Sequence, residues 1–360
     1  MIEISPLFPV NREHLEHMTG EFGICQHAYG LEPNLGSGTC SDDVARALVV
    51  DFDHAETLGQ EAVADSVLRS LRYLEEAFND DIGRFRNFRG ASGGWLEELG
   101  SEDCHGRVMF ALAQAQTRYD QAETRQRAVD LFARALPAAG SLTSIRAMSA
   151  ASLACAALPD GTLTSEARSL LERLSQRLLA TFGGEACTSA WPWPEEVITY
   201  DGTLPARALI SAGARLEDMA MIDLGLRLFD WLLEHEIDAD GRFSPIGNRG
   251  WWLRGRVKTD FDQQPIEAGS LILTAEAALS VAPKQRYLEA AESAYSWFLG
   301  ANKLGARIAD PEHGGCRDGL GPDGINTNEG AESTLMWLSG LEAIRRLRKA
   351  GLKAPIETAS

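Results

Sequence analysis

Two kinds of helical segment take turns along this chain, and their alternation decides what it can fold into. One kind is amphipathic: Val63, Val67, Leu71, Leu74 and Phe78 recur at helical spacing, as do Ile222, Leu226, Phe229 and Leu233, and Leu288, Ala291, Tyr295 and Phe298, with charged residues on the opposite faces. The other kind, such as SIRAMSAASLACAAL, LPARALISAGA and EAGSLILTAEAAL, is apolar nearly all round and rich in Ala, Ser and Gly. Helices of that composition are buried and closely packed. Six buried segments begin near Asp42, Asp103, Ser144, Asp201, Gln264 and Gly330, with outer segments near residues 58–79, 122–137, 164–182, 216–236 and 284–300 and a first outer one near Asn11. Six inner helices ringed by outer ones predict an all-α fold, an (α/α)6 barrel or six-hairpin toroid. No Pro/Gly/Ser-rich linker divides the chain, so residues 1–360 are expected to form one such domain rather than two helical cores.

At 360 residues the chain is long enough for a large closed architecture. No apolar run is long enough to span a bilayer. The N-terminus lacks a basic region followed by an apolar core, and the six cysteines form no CxxC pair, so a cytoplasmic protein with reduced thiols is expected. A net charge of −18 opposes binding to nucleic acid or to anionic membranes and favours a neutral ligand.

Two loops echo each other, DDIGRFRNF from Asp80 and DADGRFSPIG from Asp238. Each is a tight turn with Gly as the left-handed residue, followed by tryptophan and an acid-bearing inner helix.

The starts of the buried helices are unusually acidic. SDDVARAL, SEDCHGR, TYDGTLPARAL, DQQPIEAG and NEGAESTL place Asp42, Asp43, Glu102, Asp103, Asp201, Asp262, Glu267 and Glu332 at one end of the barrel, with His105, Arg107 and Arg46. Capping explains any one of these acids, since a side-chain oxygen at a helix start stabilises by about 0.5–2 kcal/mol. It does not explain the doublets Asp42-Asp43 and Glu102-Asp103, because one cap per helix suffices and a second buried charge is costly. A shared polar cavity with chemical use is expected. Trp95, Trp191, Trp193, Tyr200, Trp251 and Trp252 lie in loops entering the same end, and flat aromatic faces beside acids suit a carbohydrate cleft. Gln264, Asn326 and Asn328 add hydroxyl-binding amides, and the Gly-rich stretch from Asp310 to Ser333 is long enough for a lid or rim.

CSDDVARAL, RFRNF followed by WLEELGSEDCHGR, WPWPEEVITYDGTLPARAL, QQPIEA, and GGCRDGL followed by NTNEGAESTLMWL carry a resemblance over nearly the whole chain. The sequence resembles the six-hairpin glycosidase superfamily and, more narrowly, a bacterial helical domain found alone or attached to glycosyltransferases. The superfamily resemblance implies carbohydrate chemistry by carboxylates at the inner-helix ends, most often with inversion. The narrower one implies a glycosyltransferase as a partner and carries no activity.

The favoured reading is a carbohydrate-active enzyme that cleaves a glycosidic bond by water or phosphate, with an acid and a carboxylate about 6.5–9.5 Å apart if it inverts. Asp103 is the first candidate for the acid, its pKa raised by Glu102, and Glu267, Glu332 or Asp201 supplies the second group. Substrate contacts are assigned to Asp42, Asp43, Glu102, His105, Arg107, Trp191, Trp193, Tyr200, Trp251, Trp252, Asp262, Gln264, Asn326 and Asn328. One alternative is a sugar epimerase using His105 and His313. Another is a noncatalytic glycan-binding partner of a glycosyltransferase. DCHG and GGCRDG also suggest zinc ligands of the kind found in lanthionine cyclases, but Cys316 lacks the expected neighbours, so no metal and no cofactor is expected.

Overall fold

The computed structural model describes residues 4–351. Its helices are α1 (Glu13–His17), α2 (Ser41–Leu58), α3 (Ala64–Ala77), α4 (Glu102–Arg118), α5 (Ala122–Ala139), α6 (Ile145–Ala157), α7 (Ser165–Phe182), α8 (Leu204–Leu216), α9 (Met219–Glu236), α10 (Pro265–Val281), α11 (Gln285–Phe298) and α12 (Ala331–Lys349). The even-numbered helices form a closed ring in which each touches the next and α12 returns to α2. Helices α3, α5, α7, α9 and α11 pack outside it, and the five-residue α1 covers α12. The fold is therefore the expected (α/α)6 barrel. Its first outer helix is much shorter than its counterparts, and α8 begins three residues after Asp201, which leaves that acid on the preceding loop.

Small residues set the spacing of the inner ring. A Cβ on Gly106 of α4 would meet the Ala147 carbonyl oxygen of α6 at 2.7 Å, and one on Gly269 of α10 would meet the Met336 carbonyl oxygen of α12 at 2.8 Å. The backbones approach too closely for any side chain. Ser101 and Ser144 cap α4 and α6, accepting from the amides of Cys104 and Ala147 at 3.0 and 3.4 Å.

The two ends of the barrel differ. Opposite the inner-helix starts, the connections 119–121, 217–218 and 282–284 are only two or three residues long. At the starts the connections are long, as in 183–203, 237–264 and 299–330, and they interlock through short antiparallel pairs. Thr39–Cys40 pairs with Phe88–Arg89, and Val197–Ile198 with Trp252–Leu253. Single bridges from Gln263 to Leu320 and from Gly30 to Asn328 join the loops before α10, α12 and α2. Backbone pairing thus gives the loops a fixed rim. The echoed loops are indeed similar turns, with Gly83 and Gly241 at φ +73° and +77° and their phenylalanines paired back to Phe78 and Ile237. Among the described residues no helix is long and apolar enough to cross a membrane.

Replacing Gly by Ala inside a helix ordinarily stabilises it by about 1 kcal/mol. Gly106→Ala is expected to do the opposite, destabilising by about 1–3 kcal/mol because the backbone of α6 must move. Urea denaturation measures this, and a gain in stability would contradict the close approach of α4 and α6.

Candidate active site

The inner-helix starts surround a polar cavity of about 340 Å³ at the mouth of the barrel. Helix α2 supplies Asp42, Asp43 and Arg46, α4 supplies Arg107, and α12 supplies Glu332 and Ser333. The rim loops add His27, Asn87, Phe88, Tyr200, Gln264 and Asp318.

Two arginines organise the floor. Arg46 donates to Asp43 at 3.0 Å and to Glu332 at 2.6 Å, so one guanidinium joins α2 to α12. Arg107 donates to Asp42 and faces the Asp201 carboxylate at 3.9 Å, which joins α4, α2 and the loop before α8. Asn87 completes the arrangement by donating to Asp42 at 2.8 Å and accepting from its backbone amide at 3.1 Å.

These surroundings drive two adjacent carboxyls apart. Burial works against the charge of Asp42, but Arg107 and Arg46 outweigh it and hold this carboxyl below its ordinary range. For Asp43 burial dominates over Arg46, the negative charges of Glu332 and Asp42 add to it, and the pKa is raised to about 6. Across the cavity, burial also raises Asp318, against hydrogen bonds from Ser333 and the Gly330 amide.

Other expected site residues sit elsewhere. Both Asp103 oxygens are engaged, accepting from Ser144 Oγ at 2.6 Å and from the Tyr200 hydroxyl, and Asp103 does not line the mouth cavity. It positions Tyr200, which does line the cavity and has the Arg146 guanidinium 4.4 Å from its ring centroid. Glu102 accepts from the amides of Thr143 and Ser144, both at 2.7 Å. Although burial works against its charge, those amides hold Glu102 below the ordinary range, so it serves the start of α6. Glu267 is buried outside the cavity and accepts from the Asp201 amide at 3.0 Å, bracing a residue held at φ 56°. Burial, then Glu236 and Asp201, keep the Glu267 carboxyl well above its usual range.

The histidine pair does not form. His105 is fully buried, with its Nε2 3.1 Å from the Ala135 carbonyl of outer helix α5, and burial lowers its pKa to about 4. His313 instead pairs with Asp310 at 2.8 Å.

The tryptophans pack as a core and do not wall the mouth cavity. Trp191, Trp193 and Trp252 are buried; the Trp252 ring stacks on Trp231 at 5.0 Å with Trp191 edge-on at 5.1 Å, and Trp193 meets Phe182 at 5.2 Å. Trp251 packs against the same core, and Trp95 lies against Tyr73 beneath Arg89. Hydrophobic burial wins over ligand stacking here. Asp262 and Asn326 line an adjoining depression of about 450 Å³, which shares Gln264 and Asp318 with the mouth, and Asn328 ties Asp318 to the Ala28 amide.

His27, Asn87 and Asp318 were not foreseen as site residues. Asn87 and Asp318 fall inside RFRNF and CRDGL, but loop residues without periodicity give no directional signal. His27 carried no signal at all. The metal hypothesis finds no support in geometry: among the described residues no three His, Cys, Asp or Glu side chains cluster as ligands, and burial holds the Cys104 and Cys316 thiols far above their ordinary range.

No family model and no curated protein matches the chain. Solved structures do. A sugar epimerase from a ruminal bacterium superposes with a TM-score of 0.69 at 13% identity, covering 93% of this chain and 98% of the other. Cellobiose 2-epimerase from Spirochaeta thermophila gives 0.68 at 14% identity, covering 95% of each chain. These likenesses show the fold alone, the (α/α)6 barrel. An α-1,6-mannanase from Salegentibacter has the same fold, with a TM-score of 0.63 at 12% identity over 93% of this chain and 96% of that one. That structure is of an inactive variant with two consecutive aspartates changed to alanine, in complex with α-1,6-mannotetrose.

If Asp103 acts by holding Tyr200, the two side chains are energetically coupled. Asp103→Asn and Tyr200→Phe, singly and together, should show a coupling of about 1 kcal/mol or more in urea denaturation. Additive losses would remove the Asp103–Tyr200 bond from the account.

Proposed function

We propose that the chain is a carbohydrate-active enzyme that cleaves a glycosidic bond, with Asp43 as proton donor and Asp42 as its ionised partner. The observation that carries this reading is the pair itself, two adjacent carboxyls lining the mouth cavity with proton affinities moved in opposite directions. Acid and base roles follow from such a separation. Asp43 gives its proton to the leaving oxygen while Asp42 activates water or phosphate for attack at the anomeric carbon. Asn87, Tyr200 and Gln264 offer hydrogen bonds to sugar hydroxyls. The fold shared with sugar epimerases and a mannanase supports the substrate class, and the inactive mannanase variant gives a precedent for an aspartate doublet.

Epimerisation through His105 and His313 is disfavoured, because among the described residues His27 is the only imidazole lining the mouth cavity. The cytoplasmic location and the glycosyltransferase partner belong to the same proposal, and the six free cysteines suit a reducing compartment.

The test measures hydrolysis and phosphorolysis of a glycan panel that includes cellobiose and α-1,6-mannotetraose. Asp43→Asn should lower kcat/KM on the order of a hundredfold or more while preserving binding, whereas Asp103→Asn should cost roughly tenfold or less. Activity should fall as pH rises through about 6, because Asp43 must be protonated to act. Arg46→Gln withdraws an attraction for the charged form and should move that limb to higher pH. Glu332→Gln withdraws a repulsion and should move it lower. Glycan binding in the mouth without turnover of any sugar would replace this reading with a noncatalytic one.

A further inference from the structure

The geometry points to a second ligand site, at the end of the barrel away from the mouth, for a small organic anion bearing a phosphate or a carboxylate. A cavity of about 450 Å³ opens there, walled by Asp53, Glu56, Arg118, Arg207, Glu276 and Arg346. That volume falls in the range of small-molecule sites.

Its carboxylates are already engaged. Asp53 accepts from Arg118 at 2.7 Å and from Arg346 at 2.9 Å. Glu276 takes two bonds from Arg346, at 2.7 and 3.0 Å, and Glu56 pairs with Arg118. Arg207 differs from the other two arginines. Among the described residues its guanidinium has no ion pair and no hydrogen bond, and it lies 5.4 Å from the centroid of the Phe110 ring. The guanidinium lines the open cavity with its donors unused, and its planar fork matches the oxygens of a phosphate or carboxylate.

The site is separate from the mouth. Between them runs a neck of about 90 Å³, lined by Val49, Phe110, Leu153 and Leu273, with Arg46 and Arg107 at one end and Arg207 at the other. This passage is much narrower than either cavity. A ligand therefore enters past the short connections.

Isothermal titration calorimetry with glucose 6-phosphate, glucuronate and glucose tests this inference. At least one of the two anions should bind saturably up to millimolar concentration, the tighter one identifying the preferred group, and glucose should show no Arg207-dependent binding. Arg207→Gln leaves no partner stranded and should weaken anion binding about tenfold or more. Ser211→Glu, which adds a negative charge to the same cavity wall, should do likewise without touching an ion pair. His27→Glu, which adds a negative charge to the wall of the mouth cavity, should bind the anion as the unmodified protein does. The inference is overturned if neither anion binds, if both cavity variants bind them unchanged, or if His27→Glu abolishes binding and so places it in the mouth.

Discussion

Two guanidinium groups hold the mouth of the barrel together. Arg46 and Arg107 each reach carboxylates contributed by different elements, so α12, α2, α4 and the loop before α8 meet through charge as well as packing. Without them Asp42, Asp43, Asp201 and Glu332 would repel one another. The same ion pairs make the two neighbouring aspartates unequal. Asp42 is gripped by Arg107 and Asn87, whereas Asp43, more deeply buried, shares Arg46 with Glu332. Burial therefore controls one carboxyl and charge the other.

The inner ring makes this arrangement possible. Close approach at Gly106 and Gly269 brings the helix starts within reach of single side chains, and the long loops at that end are fastened by short backbone pairs. Asp103 and Glu267 act one step back from the cavity. Asp103 orients Tyr200, and Glu267 fixes the backbone that presents Asp201. At the other end, short connections leave an open cavity whose ion pairs involve every charged group except Arg207.

The ring was legible in the sequence because burial imposes composition: Ala, Ser and Gly recur where helices touch on every side. The acidic helix starts were legible for the same reason, since unneeded charge does not persist in a core. What the sequence could not convey was direction. Glu102 and Asp103 stand at a helix start as Asp42 and Asp43 do, but they turn sideways to the open amides of α6 and to Tyr200. Glu267 looked like a cavity acid from its spacing and serves a backbone amide instead. The tryptophans, assigned to a sugar cleft from their place in loops, found one another and Phe182. Asn87 and Asp318 acquire meaning only when distant loops are brought together, and no local pattern reports that.

The central claim is that the two arginines and burial separate the proton affinities of Asp42 and Asp43. Carboxyl ¹³C NMR, with resonances assigned by Asp42→Asn and Asp43→Asn, measures this without a substrate. The account predicts that Asp43 titrates near pH 6 and that Asp42 stays ionised to below the ordinary aspartate range. Two titrations together near the ordinary aspartate value would contradict it.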